Sequence, residues 1–459
     1  MSATEPSPRD IAVWALADRR GNVSASLDRL LSRGSFARAD RALASELALG
    51  ACRRRATLAA VARAYLADPD RRLPGALNQI LHVAIYQLLF LTRVPQFAAV
   101  DEAVKQAVRH RHRRQSGLVN GLLRTVARNV SEICTGPVPL ATDVLPVGPG
   151  AYRTFTQPVF PDPQVDPAGY IAEAYSLPPA LATRWIGRFG SLAKAAEPAT
   201  HANCRPPLIL RVNALRTTAD AVLDGLAHEG VSARRHANGT SIVVDEHTDV
   251  RRLAAFRDGL VQPQDPSATA VVDQAVRPAA GMNVLDFCAA PGTKTTHMAE
   301  VMGNSGSITA VDVSVARLEA VEYNCRRLGV TIVRTVLAEQ VGSLEAGSFD
   351  AVLADVPCSN TGVLARRVEA RWRFDQANLA KLVADQRLLL AAAGQFVKPG
   401  GRLIYSTCSI EPEECGEVAR DFAARHGRFK IIDEKLTLPA GAEDPVAWTD
   451  GGYYAVFRG

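Results

Sequence analysis

Two cysteines stand at the ends of apolar, strand-like runs fifty residues apart. In AVLADVPCSNTG (351–362) the run from Ala351 to Ala354 gives way to Asp355, Pro357 and Cys358, and in RLIYSTCSIEPEE (402–414) a second run ends in Thr407, Cys408 and Ser409. Two thiols so placed can be a disulfide, half a metal site or two reacting groups. The eight cysteines include no CxxC pair, which argues against zinc, so no metal is expected. The opening MSATEPSPRDIAVW lacks the basic-then-apolar-then-small order of a secretory signal, which implies a cytoplasmic, reducing compartment and argues against a structural disulfide. Two readings stay open, two small buried side chains or two reacting groups beside an acid, and a thiol acts as a nucleophile only once a neighbour has helped it lose its proton.

A third stretch bears on what they react with. After the strand NVLDF (283–287) comes the loop Cys288-Ala289-Ala290-Pro291-Gly292-Thr293-Lys294, and Asp312 ends the next strand twenty residues beyond Gly292. Small residues at the start of a helix let a ligand approach free N–H groups, and an acid at the second strand end can hold both hydroxyls of a ribose. The same residues also suit a tight turn and a helix cap. Neither GxGxxG nor GxxxxGK[ST] is present, so an adenosyl ligand without phosphate, such as S-adenosylmethionine, fits better than a nucleotide.

These stretches require elements to carry them. From 261 to 459, strands alternate with helices over short connections, the pattern of a doubly wound α/β domain with a parallel sheet. Residues 169–260 mix a helix, the strand LILRVNAL (208–215), a helix ending at Gly230 and a further strand, a small α+β module. Residues 131–168 carry eight prolines and read as an extended linker. Residues 8–130 have apolar positions at three- and four-residue spacing in Ala/Leu/Arg-rich sequence, a helical bundle. The run ALNQILHVAIYQLLFLT (76–92) contains Asn78, Gln79, His82 and Gln87 and reads as a core helix rather than a membrane span.

Charge is unevenly shared. Residues 1–130 hold 21 Lys and Arg against 10 Asp and Glu, and the rest of the chain 32 against 37. The basic end includes Arg53, Arg54, Arg55, Arg109, Arg111, Arg113 and Arg114, whose natural partner is a polyanion such as RNA. Arg366, Arg367, Arg371 and Arg373 follow the Cys358 stretch and are candidates for RNA phosphate or base contacts, or else a charged surface loop.

Together, DFCAAPGTKTTHMAE, DVPCSNTGVLARR and YSTCSIEPEE resemble motifs I, IV and VI of RNA (cytosine-5) methyltransferases. YQLLFLTRVPQFAAVDEAV and LVNGLLR resemble a NusB-type RNA-binding domain, and this fusion is similar to the bacterial 16S ribosomal RNA enzymes of the small-subunit methyltransferase B (Sun/Fmu) type. The resemblance covers nearly the whole chain and implies three parts: an all-α NusB-like bundle, an RRM-like module and a Rossmann-like methyltransferase domain using S-adenosylmethionine, in a monomer acting on 16S ribosomal RNA. It implies that Cys408 attacks cytosine C6, Cys358 assists product release and Asp355 polarises the base while lying near the methyl donor. Residues 288–294, Asp312 and Glu339 would hold the cofactor, Glu339 standing where the family usually has Asp. Thr293 stands where Gly is frequent and Arg216 where Lys is frequent. Cys325 and Cys415 are expected in the core.

Overall fold

The computed structural model describes residues 6–18, 22–245 and 248–459. They form two compact units, one holding the chain up to Cys204 together with Arg367–Phe374, the other Arg205–Arg366 and Asp375–Gly459.

The first unit begins with seven α-helices between Pro8 and Arg128. Ser7 and Asp10 form a reciprocal capping box at the first. Helix Gly75–Phe90 is apolar on nearly every face and buries Leu77, Ile80, Leu81, Val83, Ile85, Leu88 and Leu89, the pattern of a helix enclosed by others. No helix among the described residues is long and apolar enough to cross a membrane.

Residues 131–168 are not the extended linker that their prolines suggest. Cys134–Thr135, Val144–Gly148 and Ala151–Thr154 form a three-stranded antiparallel sheet with Ala151–Thr154 in the middle. The prolines avoid that central strand, and Pro146 lies on an edge strand, where its missing N–H costs no ladder bond. Helices Pro167–Ala174, Pro179–Phe189 and Leu192–Asn203 fall in the first unit, and the strands expected for the small α+β module fall in the second.

Arg371 explains much of this. It is fully buried, and its guanidinium donates to the carbonyls of Arg53 and Ser176 (both 3.1 Å) and Ala202 (2.6 Å), and to Asn203 Oδ1 (3.0 Å). Trp372 Nε1 donates to Cys52 O at 2.8 Å. One side chain thus ties the fourth-helix junction to the later helices. Burial holds Arg371 down at about 9, against an ordinary value above 12. Its expected RNA contact is therefore corrected: a buried guanidinium does not reach a phosphate. Arg54 is corrected for the same reason. It is buried, donates to Pro146 O (3.0 Å) and Val147 O (3.3 Å), and lies 4.7 Å from the centre of the Phe90 ring. Arg53 is buried too. Arg55, Arg111, Arg113, Arg114 and Arg367 are exposed, and Arg109 pairs with Asp10 at 3.3 Å.

In the second unit, Leu208–Val212, Ala233–Arg235, Ser241–Val244 and Val261–Pro263 make a four-stranded antiparallel sheet. Its core with helix Ala219–His228 contains Leu210, Val222, Leu226, Ile242 and Val261. The large sheet has seven strands: β1 (Asn283–Asp286), β2 (Ser307–Asp312), β3 (Val333–Leu337), β4 (Phe349–Asp355), β5 (Val397–Thr407), β6 (Lys430–Thr437) and β7 (Gly452–Arg458). They lie in the order β3-β2-β1-β4-β5-β7-β6. The first five are parallel, but β7 runs antiparallel to both neighbours, so the sheet is mixed rather than wholly parallel. The segment from β6 to β7 contains only a short 3₁₀ turn, and without a crossover helix consecutive strands pair antiparallel.

Both faces of the sheet are covered, which is why its strands are apolar without alternation. Leu285, Val352, Ala354, Leu403 and Tyr405 face Leu390, Phe396 and Phe422, whereas Val284, Leu353 and Ile404 face Met298, Val321 and Leu328.

Arg371→Ala should leave several buried carbonyls without a donor and cost about 3 kcal/mol or more, read as a lowered urea midpoint. Unchanged stability with weakened RNA affinity would restore a surface role for this arginine.

Candidate active site

Parallel register sets the site. Leu353 pairs with Asp286, Asp355 with Ser406, and Leu337 with Asp312, so the ends of β1 to β5 share one edge of the sheet. In an open α/β sheet that edge is where ligands bind.

After β1 the chain turns through Cys288–Gly292 into helix α1 (Thr293–Val301). Gly292 has φ +90°, and a Cβ there would lie 3.0 Å from Val321, so the turn requires glycine on both counts. Asp312 fixes the loop: its carboxylate accepts from Ala290 N–H (3.0 Å) and Val313 N–H (2.8 Å) and forms an ion pair with Arg317 (3.0 Å). Burial pushes the Cys288 thiol up to about 12, so it stays protonated and inert. Glu339 is exposed, in the 3₁₀ turn after β3.

Asp286, at the end of β1, is a group that motif reading passed over. It is buried, its Oδ2 accepts from Thr295 Oγ1 at 2.7 Å, and its Oδ1 has no partner. Burial pushes its carboxyl up to about 7, the Thr295 hydroxyl offsetting this only in part. An orphaned buried carboxylate oxygen behind a loop of small residues fits a site that receives a polar ligand.

The small sheet helps to hold this loop. Arg211 and Glu300 form a buried ion pair with contacts of 2.7 and 3.0 Å, and Arg211 also donates to Thr293 O (2.9 Å) at the start of α1. Arg216 donates to Asp258 O at 2.8 Å. His297 pairs with Asp273 at 3.1 Å rather than with the cysteines, and burial lowers its pKa.

The ends of β4 and β5 bring the two thiols together. Cys358 Sγ and Cys408 Sγ are 3.1 Å apart, well beyond the ~2.05 Å of a disulfide, so both are free thiols. Cys408 Sγ donates to Asn360 Oδ1 at 3.3 Å, and Asn360 Nδ2 donates to Cys358 O at 2.8 Å. The Cys408 sulfur first, then burial, push the Cys358 thiol well above its ordinary range. Asp355 forms a 2.7 Å ion pair with Lys294. Burial works to lower the Lys294 ammonium, but Asp355 outweighs it and the net shift is upward. A cavity of about 40 Å³ beside Cys408 is also lined by Lys294, Asp355, Thr407, Tyr453 and Tyr454.

Arg366 does not project freely from this region, because its guanidinium is bound by Asp450 (2.6 Å), Asp265 (3.1 Å) and Pro207 O (3.0 Å). Glu414, also missed, is fully buried among the donors around the cysteines. Its neighbours Glu411 and Glu413 are also acidic, so nothing local marks it as the one beneath the site.

Known proteins match this arrangement. Residues 273–447 fit the model for 16S rRNA methyltransferase RsmB/F, residues 7–128 the NusB family, and residues 177–251 the ferredoxin-like domain of RsmF/B-like methyltransferases. The chain is 30% identical to the probable ribosomal RNA small subunit methyltransferase B of Bacillus subtilis (strain 168), over 92% of this chain and 90% of that one. It is 32% identical to ribosomal RNA small subunit methyltransferase B of Erwinia tasmaniensis, over 91% and 90%. Its fold resembles the crystal structure of PH0851 (TM-score 0.73, 22% identity, 98% of each chain). It also resembles a methyltransferase homologue from Pyrococcus horikoshii (TM-score 0.53, 26% identity, 63% of this chain and 97% of that one).

The raised Asp286 carboxyl makes a pH prediction. Its folded value of about 7 exceeds the unfolded ~3.9, so the folded state holds an extra proton between them and loses stability as pH rises through that window. Asp286→Asn should lack this loss, gaining roughly 2–4 kcal/mol on the wild type between pH 4.5 and 8 in urea unfolding. A difference that does not change with pH would contradict the assignment.

Proposed function

The chain belongs to the ribosomal RNA small subunit methyltransferase B family, and from that premise we propose how its thiols divide the work on a cytidine. It is an S-adenosylmethionine-dependent RNA methyltransferase with a NusB-type RNA-binding domain. The proposed product is 5-methylcytidine in 16S ribosomal RNA, made in the cytoplasm by a monomer.

Cytosine C5 is a weak nucleophile. Addition of the Cys408 thiolate to C6 turns C5 into an enamine-like carbon, which is covalent catalysis by an activated nucleophile. S-adenosylmethionine, when bound, supplies the electrophilic methyl group. The loop from Cys288 to Lys294 would hold its methionine and sugar, Asp312 its ribose, and Glu339 its adenine side. The unpartnered Asp286 Oδ1 supports that fit. Asp355, anchored by Lys294, would accept a hydrogen bond from the amine or protonated N3 of the base and so stabilise charge as the adduct forms.

The observation that carries the division of roles is the 3.1 Å separation of the two sulfurs. Once the C5 proton has passed to solvent water, the C6–S bond breaks as the C5–C6 double bond re-forms, and Cys358, buried and held as a thiol, can hydrogen-bond the departing Cys408 sulfur and protonate it. Exposed Arg55, Arg111, Arg113, Arg114 and Arg367 are the proposed phosphate contacts.

Cys408→Ala should abolish both 5-methylcytidine, read by mass spectrometry of digested 16S RNA, and covalent RNA–protein complexes on denaturing gels. Cys358→Ala should let those complexes accumulate. The reverse pattern would exchange the two roles, and methylation away from C5 would sink the reading.

A further inference from the structure

Each cysteine is followed by a serine, and both serines are bound to the same carboxylate. Glu414 is fully buried. Its Oε1 accepts from Ser359 N–H (2.8 Å) and Gln386 Nε2 (3.0 Å), and its Oε2 from Ser409 Oγ (2.5 Å) and the Ser359 hydroxyl. A carboxylate has about four acceptor sites, and here four neutral donors fill them.

The surroundings make the tether rigid. Gln386, on helix Gln376–Gly394, also donates to Pro357 O at 2.9 Å, one residue before Cys358. Tyr405 OH donates to Glu414 O at 2.7 Å. Ser409 Oγ accepts from Glu411 N–H at 3.0 Å and lies 3.1 Å from Thr361 Oγ1, which itself accepts from Ile410 N–H at 3.1 Å. The two cysteine loops, turns at the ends of adjacent strands, also bond to each other through Asn360, Thr361 and Gly362, and Glu414 is the carboxylate bound directly to both.

We propose that Glu414 is the positioning residue of the thiol pair: bonded to the residue after each cysteine, it sets the separation and facing of the two sulfurs and thereby the rate of covalent turnover, without touching RNA or cofactor. This rests on the reading of the thiols given above. Glu414 adds to the upward push on the Cys358 thiol, after the Cys408 sulfur and burial, which suits a thiol that gives up its proton at release. The Glu414 side chain meets the serines and Gln386 rather than either sulfur.

Glu414→Gln keeps the shape and the acceptor for Ser359 N–H, but turns the other oxygen into a donor facing two hydroxyls. Expected is a fall in kcat on the order of 100-fold, the effect of an ångström-scale misplacement, with KM for RNA and the dissociation constant of S-adenosylmethionine within about twofold. In a Cys358→Ala background the same substitution should slow the appearance of the covalent complex. A lowered melting temperature with wild-type kcat measured well below it would overturn the proposal. Should Glu414→Gln not fold, Ser409→Ala, which removes one tether, decides by the same split between kcat and KM. If the wild type makes no 5-methylcytidine and Cys358→Ala no adduct, the reading of the thiols fails and this proposal with it. If both appear and the tether variants turn over normally, only the Glu414 proposal fails.

Discussion

In-register parallel pairing of β1, β4 and β5 is the constraint on which the site depends. Side chains alternate across a strand, so a slip of one residue in β4 would turn Asp355 to the opposite face and break the pairing of Asp355 with Ser406. The buried helices on both faces forbid that slip, because Val352 and Leu353 would exchange cores that differ in shape. Contacts within the two loops then bring one sulfur to 3.1 Å from the other.

Much of this was legible in the sequence because the chemistry is written in short contiguous stretches. Cys358, Cys408, Asp355 and Asp312 each sit at or just beyond the end of an apolar run, and a strand end is a local signal. The parts that were not legible depend on what surrounds a residue. Arg53-Arg54-Arg55 reads as a basic surface, yet the structure buries two of the three and exposes the last. An arginine whose donors are taken by carbonyls looks the same in sequence as one awaiting a phosphate. Proline density suggested a linker, although edge strands and turns accept proline as readily as a linker does. Glu414 lies in an acidic stretch, where composition predicts solvent and only tertiary structure supplies four donors.

The small four-stranded sheet has a part in the arrangement as well. Its Arg211 reaches the first turn of α1 and satisfies a carbonyl there while paired with Glu300. A buried ion pair gives little net stability but is costly to break, so it serves to fix geometry. The loop proposed to hold the cofactor is therefore braced from below by Asp286 and Thr295, from the side by Asp312, and from a separate sheet by Arg211.

Arg371 has a consequence for how the protein is made. The first unit is assembled from two stretches of chain, and the second stretch, Arg367–Phe374, lies more than 160 residues after Cys204. A nascent chain emerging from the ribosome can form the helices up to Asn203 long before that arginine exists. Until then the carbonyls of Arg53, Ser176 and Ala202 have no guanidinium to receive them. Synthesis order therefore makes the completed helical unit a late event, one that waits for most of the β4 region to be translated.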